Sequence, residues 1–234
     1  MPVLLTRPAA QSESFAGPLR ARLGARWPIV ISPLLEIVSL PVPEAAWNAR
    51  GFLFTSQNGV AALAGVPGLA GRPAFCVGAR TADAARQAGF DAVAAAGDVT
   101  SLAALVVSRR PEGPLLHVSG EEVRGDLAGV LAAAGIAAER VVAYTQRPVP
   151  LGEAARRLLA GEGPVIVPLF SPRSAALLAG EGPFRARLRL VALSPAVAQE
   201  ARALGAESCA VCDRPESAAM VAAIARSAGG AGPP

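Results

Sequence analysis

The sequence predicts an α/β protein: two doubly wound parallel-sheet lobes joined by a two-stranded extended hinge, with the first lobe discontinuous in the chain. Three observations predict it. Short apolar runs alternate with alanine-rich amphipathic stretches, the pattern of parallel strands joined by helical crossovers. Two stretches repeat at an offset of about 115 residues: FLFTSQNGVAAL (Phe52–Leu63) resembles VPLFSPRSAALL (Val167–Leu178), and FCVGARTADAARQAGF (Phe75–Phe90) resembles VALSPAVAQEARALGA (Val191–Ala206). Two copies of this length mean a duplicated domain, because a solenoid needs three or more units. Two proline-rich stretches, Ile31–Pro43 and Val141–Pro150, interrupt the alternation. Proline disfavours helix at itself and at the residue before it, so both read as extended crossovers.

The expected strands, in order, are Val3–Leu5, Ile29–Ile31, Gly51–Phe54, Ala74–Val77, Ala92–Val93, Leu115–Val118, Arg140–Tyr144, Val165–Leu169, Leu190–Leu193 and Ser208–Val211. Helices should follow most of them. Thr6, Ser56, Thr81, Ser119, Ser171 and Ser194 stand at strand ends as small polar residues suited to capping the next helix. Two crossovers take the chain out of the first lobe and back. The first lobe is therefore expected at residues 1–34 and 149–228, the second at 40–144, the crossovers at 35–39 and 145–148, and a disordered tail at 229–234.

Composition removes whole mechanisms. Lys plus Arg is 22 and none is lysine, which excludes a Schiff base, a P-loop lysine and a desolvated amine base. Arginine offers permanent charge and a planar fork suited to carboxylate or phosphate. One histidine (His117), one tyrosine (Tyr144) and three cysteines leave a thin acid–base repertoire. The net charge of +4 favours an anionic partner, yet the arginines are scattered and only 4% of residues are aromatic, which argues against nucleic acid. The opening MPVLLTRP lacks the features of a signal peptide and no apolar run approaches a membrane span, so the expectation is a cytoplasmic protein with no membrane partner. Cys209 and Cys212 form a CxxC, but residues three apart on a strand face opposite ways. Buried thiols are the expected account, with no metal site.

Ligands of doubly wound sheets bind beyond the carboxyl ends of the strands, where helix N-termini offer free N–H groups. In this sequence those positions are Thr55–Gly59, Gly78–Thr81, Ser119–Glu121, Ser171–Ser174 and Ser194–Ala196, drawn from both lobes. A cleft between facing lobes would carry hydroxyls, backbone donors and Arg7, Arg80, Arg124 and Arg173, but few acids or bases. Such a surface suits a flexible polycarboxylate. The same residues have plainer readings: the hydroxyls as caps, the arginines as a solvated face, His117 as a core histidine, and Tyr144 as packing between lobes. A two-lobed binding or sensor module for a small polyanion, without catalysis, is the competing function.

The ordered set of segments LLTRP, FTSQNGV, CVGARTADAARQAGF, GDVTSLAAL, LLHVSG, GDLAGVLAAAGI, RVVAYTQRP, LFSPRSAALL, ALSPAVAQEARALGA and DRPESAAMVAAI resembles the uroporphyrinogen-III synthase family over essentially the whole chain. The resemblance implies flavodoxin-like lobes and a monomer without cofactor or metal. It also implies an enzyme of tetrapyrrole biosynthesis that cyclises hydroxymethylbilane, a linear polycarboxylate tetrapyrrole, with loss of water and inversion of ring D. In this lyase chemistry loss of the hydroxyl gives an azafulvenium, ring D attacks through its substituted carbon to form a spiro intermediate, and fragmentation and reclosure follow. The enzyme's part would be positioning plus one donor to the departing hydroxyl. A transient handover of substrate from hydroxymethylbilane synthase is a further implication.

By the same resemblance Tyr144 falls on the family's crossover tyrosine and is the candidate catalytic donor. Thr81 matches the threonine of the VGxxTA segment and Ser171 the serine of the FSP segment. The expected substrate-binding set is Arg7, Thr55, Ser56, Asn58, Arg80, Thr81, Ser119, Gly120, Ser171 and Ser194. Some members carry a threonine after the turn near Ser194, where this chain has Ala196 and Val197, so Ser194 and backbone N–H groups would serve instead.

Overall fold

The structure is a computed structural model and describes residues 1–43, 48–123 and 125–229. The chain opens with β1 (Val3–Leu5), α1 (Ala9–Leu23), β2 (Ile29–Ile31) and β3 (Leu35–Ser39). It continues through β4 (Gly51–Phe54), α2 (Gln57–Leu63), β5 (Pro73–Cys76), α3 (Ala79–Gln87), β6 (Asp91–Ala94), α4 (Val99–Arg109), β7 (Leu115–Gly120), α5 (Leu127–Ala133) and β8 (Ala138–Pro148). The last part holds α6 (Glu153–Ala160), β9 (Pro164–Leu169), α7 (Pro172–Gly180), β10 (Arg187–Ala192), α8 (Pro195–Glu200), a 3₁₀ turn (Ala201–Leu204), β11 (Ser208–Val211) and α9 (Ser217–Gly229). Gly229 thus closes a helix, and the rest of the expected tail, 230–234, lies outside the described residues.

Contacts divide the chain into two compact units, Met1–Glu36 with Arg147–Pro234, and Ile37–Gln146. Both changes of unit fall within strands, β3 and β8, which neighbour one another in the six-stranded sheet. The first unit holds a five-stranded sheet in the order β11-β10-β9-β1-β2, with every pair parallel. The other sheet runs β3-β8-β7-β4-β5-β6, and its pairs from β8 through to β6 are parallel. Numbered within their own units, the first sheet runs 2-1-3-4-5 and the second, with β3 set aside as an added edge strand beside β8, runs 3-2-1-4-5; these are the two common doubly wound orders, with switch points at β1/β9 and β4/β7.

The internal repeat has a spatial meaning. Phe52–Leu63 is β4 and α2, and Val167–Leu178 is β9 and α7; the second pair covers β5 with α3 and β10 with α8. Each β4/β9 strand lies at the switch point with β5/β10 beside it on one side and β7/β1 on the other. The two units therefore share one sheet plan with a permuted chain order.

Strand alternation sends side chains to both faces of each sheet. In the first unit Leu4, Val165, Val167 and Leu190 form one core, while Val3, Leu5, Ile166 and Val191 form the other with Phe15, Leu19, Met220 and Ile224. In the second, Phe52, Phe54, Leu116 and Val118 pack with Val60, Leu63 and Phe90, and Leu53, Phe75 and Leu115 pack with Leu102, Val106, Leu127 and Leu131. Phe90 sits edge-on to both Phe52 and Phe54, with centroids 5.3 Å apart in each case. Burying each phenylalanine contributes about 1.5–3 kcal/mol.

The caps follow the prediction only in part. Ser56 accepts from the Asn58 N–H, and Ser171 from the Ser174 N–H. Ser194 holds the cap position of α8 but its side chain makes no cap bond. Thr6 is not a cap: Pro8 takes that place for α1, and Thr6 is buried with its carbonyl accepting from the Leu34 N–H. Thr81 lies inside α3, which Gly78 caps, and Ser119 lies inside β7, which runs two residues past its expected end. Asp98 and Asp126, which follow loops instead of strand ends, cap α4 and α5. The paired expectation for the CxxC also needs correction: Cys212, just past β11, is buried against Met220, but Cys209 is exposed along with all of the edge strand β11. Cys76 is buried.

Candidate functional site

At the β4/β7 switch point of the second unit the ends of β4 and β7 and the middle of β8 surround a recess of about 220 Å³. Thr55, Ser56, His117, Glu122 and Tyr144 supply its polar groups, Val99, Val123 and Leu127 its apolar wall, and Gly120 the space between. The position is the one that strand order dictates, since connections leave β4 and β7 in opposite directions there and open a crevice.

Strand register explains why these side chains meet. Leu53 pairs with His117, so Thr55, two residues on, shares the face of His117. His117 is 4% exposed, and its Nε2 lies 3.2 Å from Thr55 Oγ1. His117 also pairs with Arg140, and Ser119 with Val142; a bulge between Ser119 and Gly120 then sets Gly120 against Tyr144. Without the bulge, strict alternation would put the partner of Gly120 one residue earlier.

Arg140 secures the bulge. Its Nε donates to Ser119 Oγ at 2.9 Å, and its Nη2 donates to the Gly120 and Glu121 carbonyls at 2.8 Å each. Ser119 Oγ in turn donates to the Gly120 carbonyl at 3.1 Å. Burial, and secondarily the positive charge of Arg140, pushes the His117 pKa down to about 4. The ring is neutral at physiological pH. Glycine is also required at Gly59, where a Cβ would stand 2.6 Å from the Val118 carbonyl oxygen, so α2 can lie directly on β7.

Of the sequence-predicted residues, Thr55, Ser56, Gly120 and Tyr144 line this recess. Ser119 is 1% exposed beneath it, its hydroxyl engaged by Arg140 and backbone. Asn58, Arg80 and Thr81 belong to the same unit but not to the lining: Asn58 is in the first turn of α2, Arg80 is exposed at the start of α3, and Thr81 is 6% exposed within that helix. Arg7, Ser171 and Ser194 belong to the first unit, following β1, β9 and β10. There the Arg7 guanidinium stacks over the Phe170 ring, 4.2 Å from its centroid, and Ser171 Oγ lies 2.9 Å from Ser174 Oγ. Arg173 is in the first turn of α7, and Arg124 lies outside the described residues.

His117, Glu122 and the apolar wall are lining residues that sequence reasoning does not place in a site. The signal for His117 is present in LLHVSG: an imidazole on the face that Leu115 gives to the core, two residues before a serine-glycine strand end. Among the described residues no cluster of three or more His, Cys, Asp or Glu could hold a metal ion. Nor is any described helix long and apolar enough to cross a membrane.

The fold matches solved structures along nearly its full length. A uroporphyrinogen-III synthetase from Helicobacter pylori is similar with a TM-score of 0.67 and 15% identity, covering 96% of this chain and 98% of that one. A mutant uroporphyrinogen III synthase from the extremely thermophilic bacterium Thermus thermophilus is similar with a TM-score of 0.51 and 20% identity, covering 97% and 98%. At such identities the likeness establishes the fold. No curated protein matches the chain in sequence. The profile of the family described as uroporphyrinogen-III synthase HemD matches residues 19–222, most of the chain. The chain belongs to the uroporphyrinogen-III synthase family, enzymes of tetrapyrrole biosynthesis.

Proposed function

We propose that the chain acts as a lyase on hydroxymethylbilane and that the recess at the β4/β7 switch point receives the reacting end of that substrate. The observation that supports this most is the meeting of Tyr144, Thr55 and His117 around a glycine at the one place in this sheet where its topology opens a crevice. In the reaction the C–O bond of the hydroxymethyl group breaks, and the hydroxyl leaves as water with a proton donated by the Tyr144 phenol. Ring D attacks through its substituted carbon, the spiro intermediate fragments, and reclosure forms the C–C bond of the macrocycle. The proton released from the closing pyrrole carbon restores the donor.

The electronics belong to the electron-rich pyrroles, so the protein's contribution is geometric. Holding ring D so that its substituted carbon reaches the azafulvenium first makes the inverted product faster than direct closure. Arg7, Arg80, Ser171, Ser194, Asn58 and Thr81 are proposed to contact the acetate and propionate groups. The proposal extends to a monomer working in the cytoplasm. Its reactive substrate, prone to close without help, favours direct handover from hydroxymethylbilane synthase.

Tyr144→Phe tests the recess. It keeps the ring and removes the donor, so isomer III formation should slow by about tenfold or more, as loss of a positioned acid does, with thermal stability retained. An unchanged rate would remove Tyr144 as donor.

A further inference from the structure

His117 is the chain's single histidine, and the reaction above gives it no task. Its place in the fold does not call for an imidazole. The shared sheet plan makes this visible: Leu115 pairs with Gly51 in β4, and Val3 pairs with Ile166 in β9, so with the 115-residue offset between β4 and β9, His117 corresponds to Leu5 and Thr55 to Phe170. The first unit fills these two positions with apolar side chains, Leu5 fully buried in the core and Phe170 packed against it. The second unit fills them with an imidazole and a hydroxyl 3.2 Å apart, both lining the recess. Burying an imidazole costs free energy unless it is hydrogen-bonded, and the leucine alternative carries no such cost.

A threonine hydroxyl rotates to suit its partners, and a neutral imidazole offers one donor and one acceptor nitrogen. Burial and Arg140 hold the ring neutral, which keeps an acceptor nitrogen available. The recess shows which way the bond should run. Its charged lining group is the Glu122 carboxylate and no described arginine lines it, so it suits a pyrrole N–H better than a substrate carboxylate. A pyrrole N–H requires an acceptor.

We propose that His117 is a positioning residue whose Nε2 accepts the Thr55 hydroxyl proton, so that Thr55 Oγ1 turns its lone pairs to the recess and accepts a pyrrole N–H of the substrate. The inference rests on the recess being the substrate site, and it adds the ring nitrogen that orients Thr55 and the substrate group that Thr55 meets.

Two measurements test it. Nitrogen-15 NMR of the free protein reads the tautomer without turnover: the Nδ1–H form is expected, and an Nε2–H form would overturn the direction of the bond. A double-mutant cycle then reads coupling in kcat/KM for isomer III. Thr55→Val and His117→Leu should each lose about tenfold, and His117→Leu should cost less than about twofold more in the Thr55→Val background. His117→Gln, whose amide oxygen can accept the same proton, should recover most of the loss and covers the case in which the leucine variant folds poorly. A full tenfold loss from His117→Leu in both backgrounds would mean that it acts independently of Thr55 and overturns the inference alone. So would a loss at Thr55→Val with none at His117→Leu. No loss at Thr55→Val would overturn the recess as substrate site, and the tautomer measurement would still report on the bond itself.

Discussion

Gly120 and Tyr144 compete for one volume: a Cβ on Gly120 would stand 2.6 Å from Cε2 of the Tyr144 ring and 2.8 Å from its Cζ. No unusual backbone angle calls for glycine there. The neighbouring ring does, at the bulge where the two residues pair across β7 and β8.

Gly120→Ala should therefore act through the ring. Overpacking of this kind costs about 1–3 kcal/mol, and a displaced phenol should also slow isomer III formation. In a Tyr144→Ala background the same substitution should be nearly neutral in stability. Chemical denaturation of the four proteins measures this; an equal penalty in both backgrounds would show that the ring is not the cause.

Acid should destabilise the fold through His117. Its pKa falls from 6.5 to about 4 on folding, so between those values the unfolded chain binds a proton that the folded chain does not. Stability is then fully present above pH 6.5 and lost as pH falls to about 4, by on the order of 3 kcal/mol. Comparing the wild type with His117→Leu across this window isolates the histidine from the carboxylates. The wild type should lose stability relative to the variant as the pH falls, and a constant difference between them would contradict the assignment.

Thiol chemistry separates the three cysteines. Cys209 is exposed, whereas Cys76 and Cys212 are buried; desolvation raises all three thiols, that of Cys76 to about 11, so access is what separates them. Native protein should take up one equivalent of iodoacetamide at Cys209 near neutral pH, and denatured protein three. Rapid native labelling of Cys76 would show that its core is open.

The arginines proposed to meet substrate carboxylates should act on binding. Arg80→Ala, exposed at the start of α3, should raise KM several-fold with kcat within about twofold. Arg7→Ala should do the same and also lose about 0.5–1 kcal/mol of stability with the Phe170 stack. Initial-rate kinetics decide, and an unaltered KM would remove that arginine from the site.

What the sequence makes legible follows from what local patterns encode. Val3–Leu5, Ile29–Ile31, Gly51–Phe54 and Ser208–Val211 are strands with the expected bounds, because each short run is closed by polar or helix-starting residues. For β8 the apolar run Arg140–Tyr144 predicts a short strand, whereas the strand has 11 residues, since both of its ends are open to solvent and carry no apolar run. The missed caps have a similar origin: composition marks a serine as suited to capping, but only tertiary packing decides that Ser119 continues a strand while Asp98 starts a helix. His117 illustrates the limit for the site. The run LLHVSG reveals a strand, but the partner that gives the ring a chemical role, Thr55, is 62 residues away and is brought to it by register alone.

The most direct test of the whole account is to supply purified protein with freshly made hydroxymethylbilane, oxidise the products and resolve porphyrin isomers I and III. Isomer III is expected as the dominant product, formed faster than spontaneous closure. Isomer I alone, at the rate seen without protein, would contradict it and leave a binding module in the place of an enzyme.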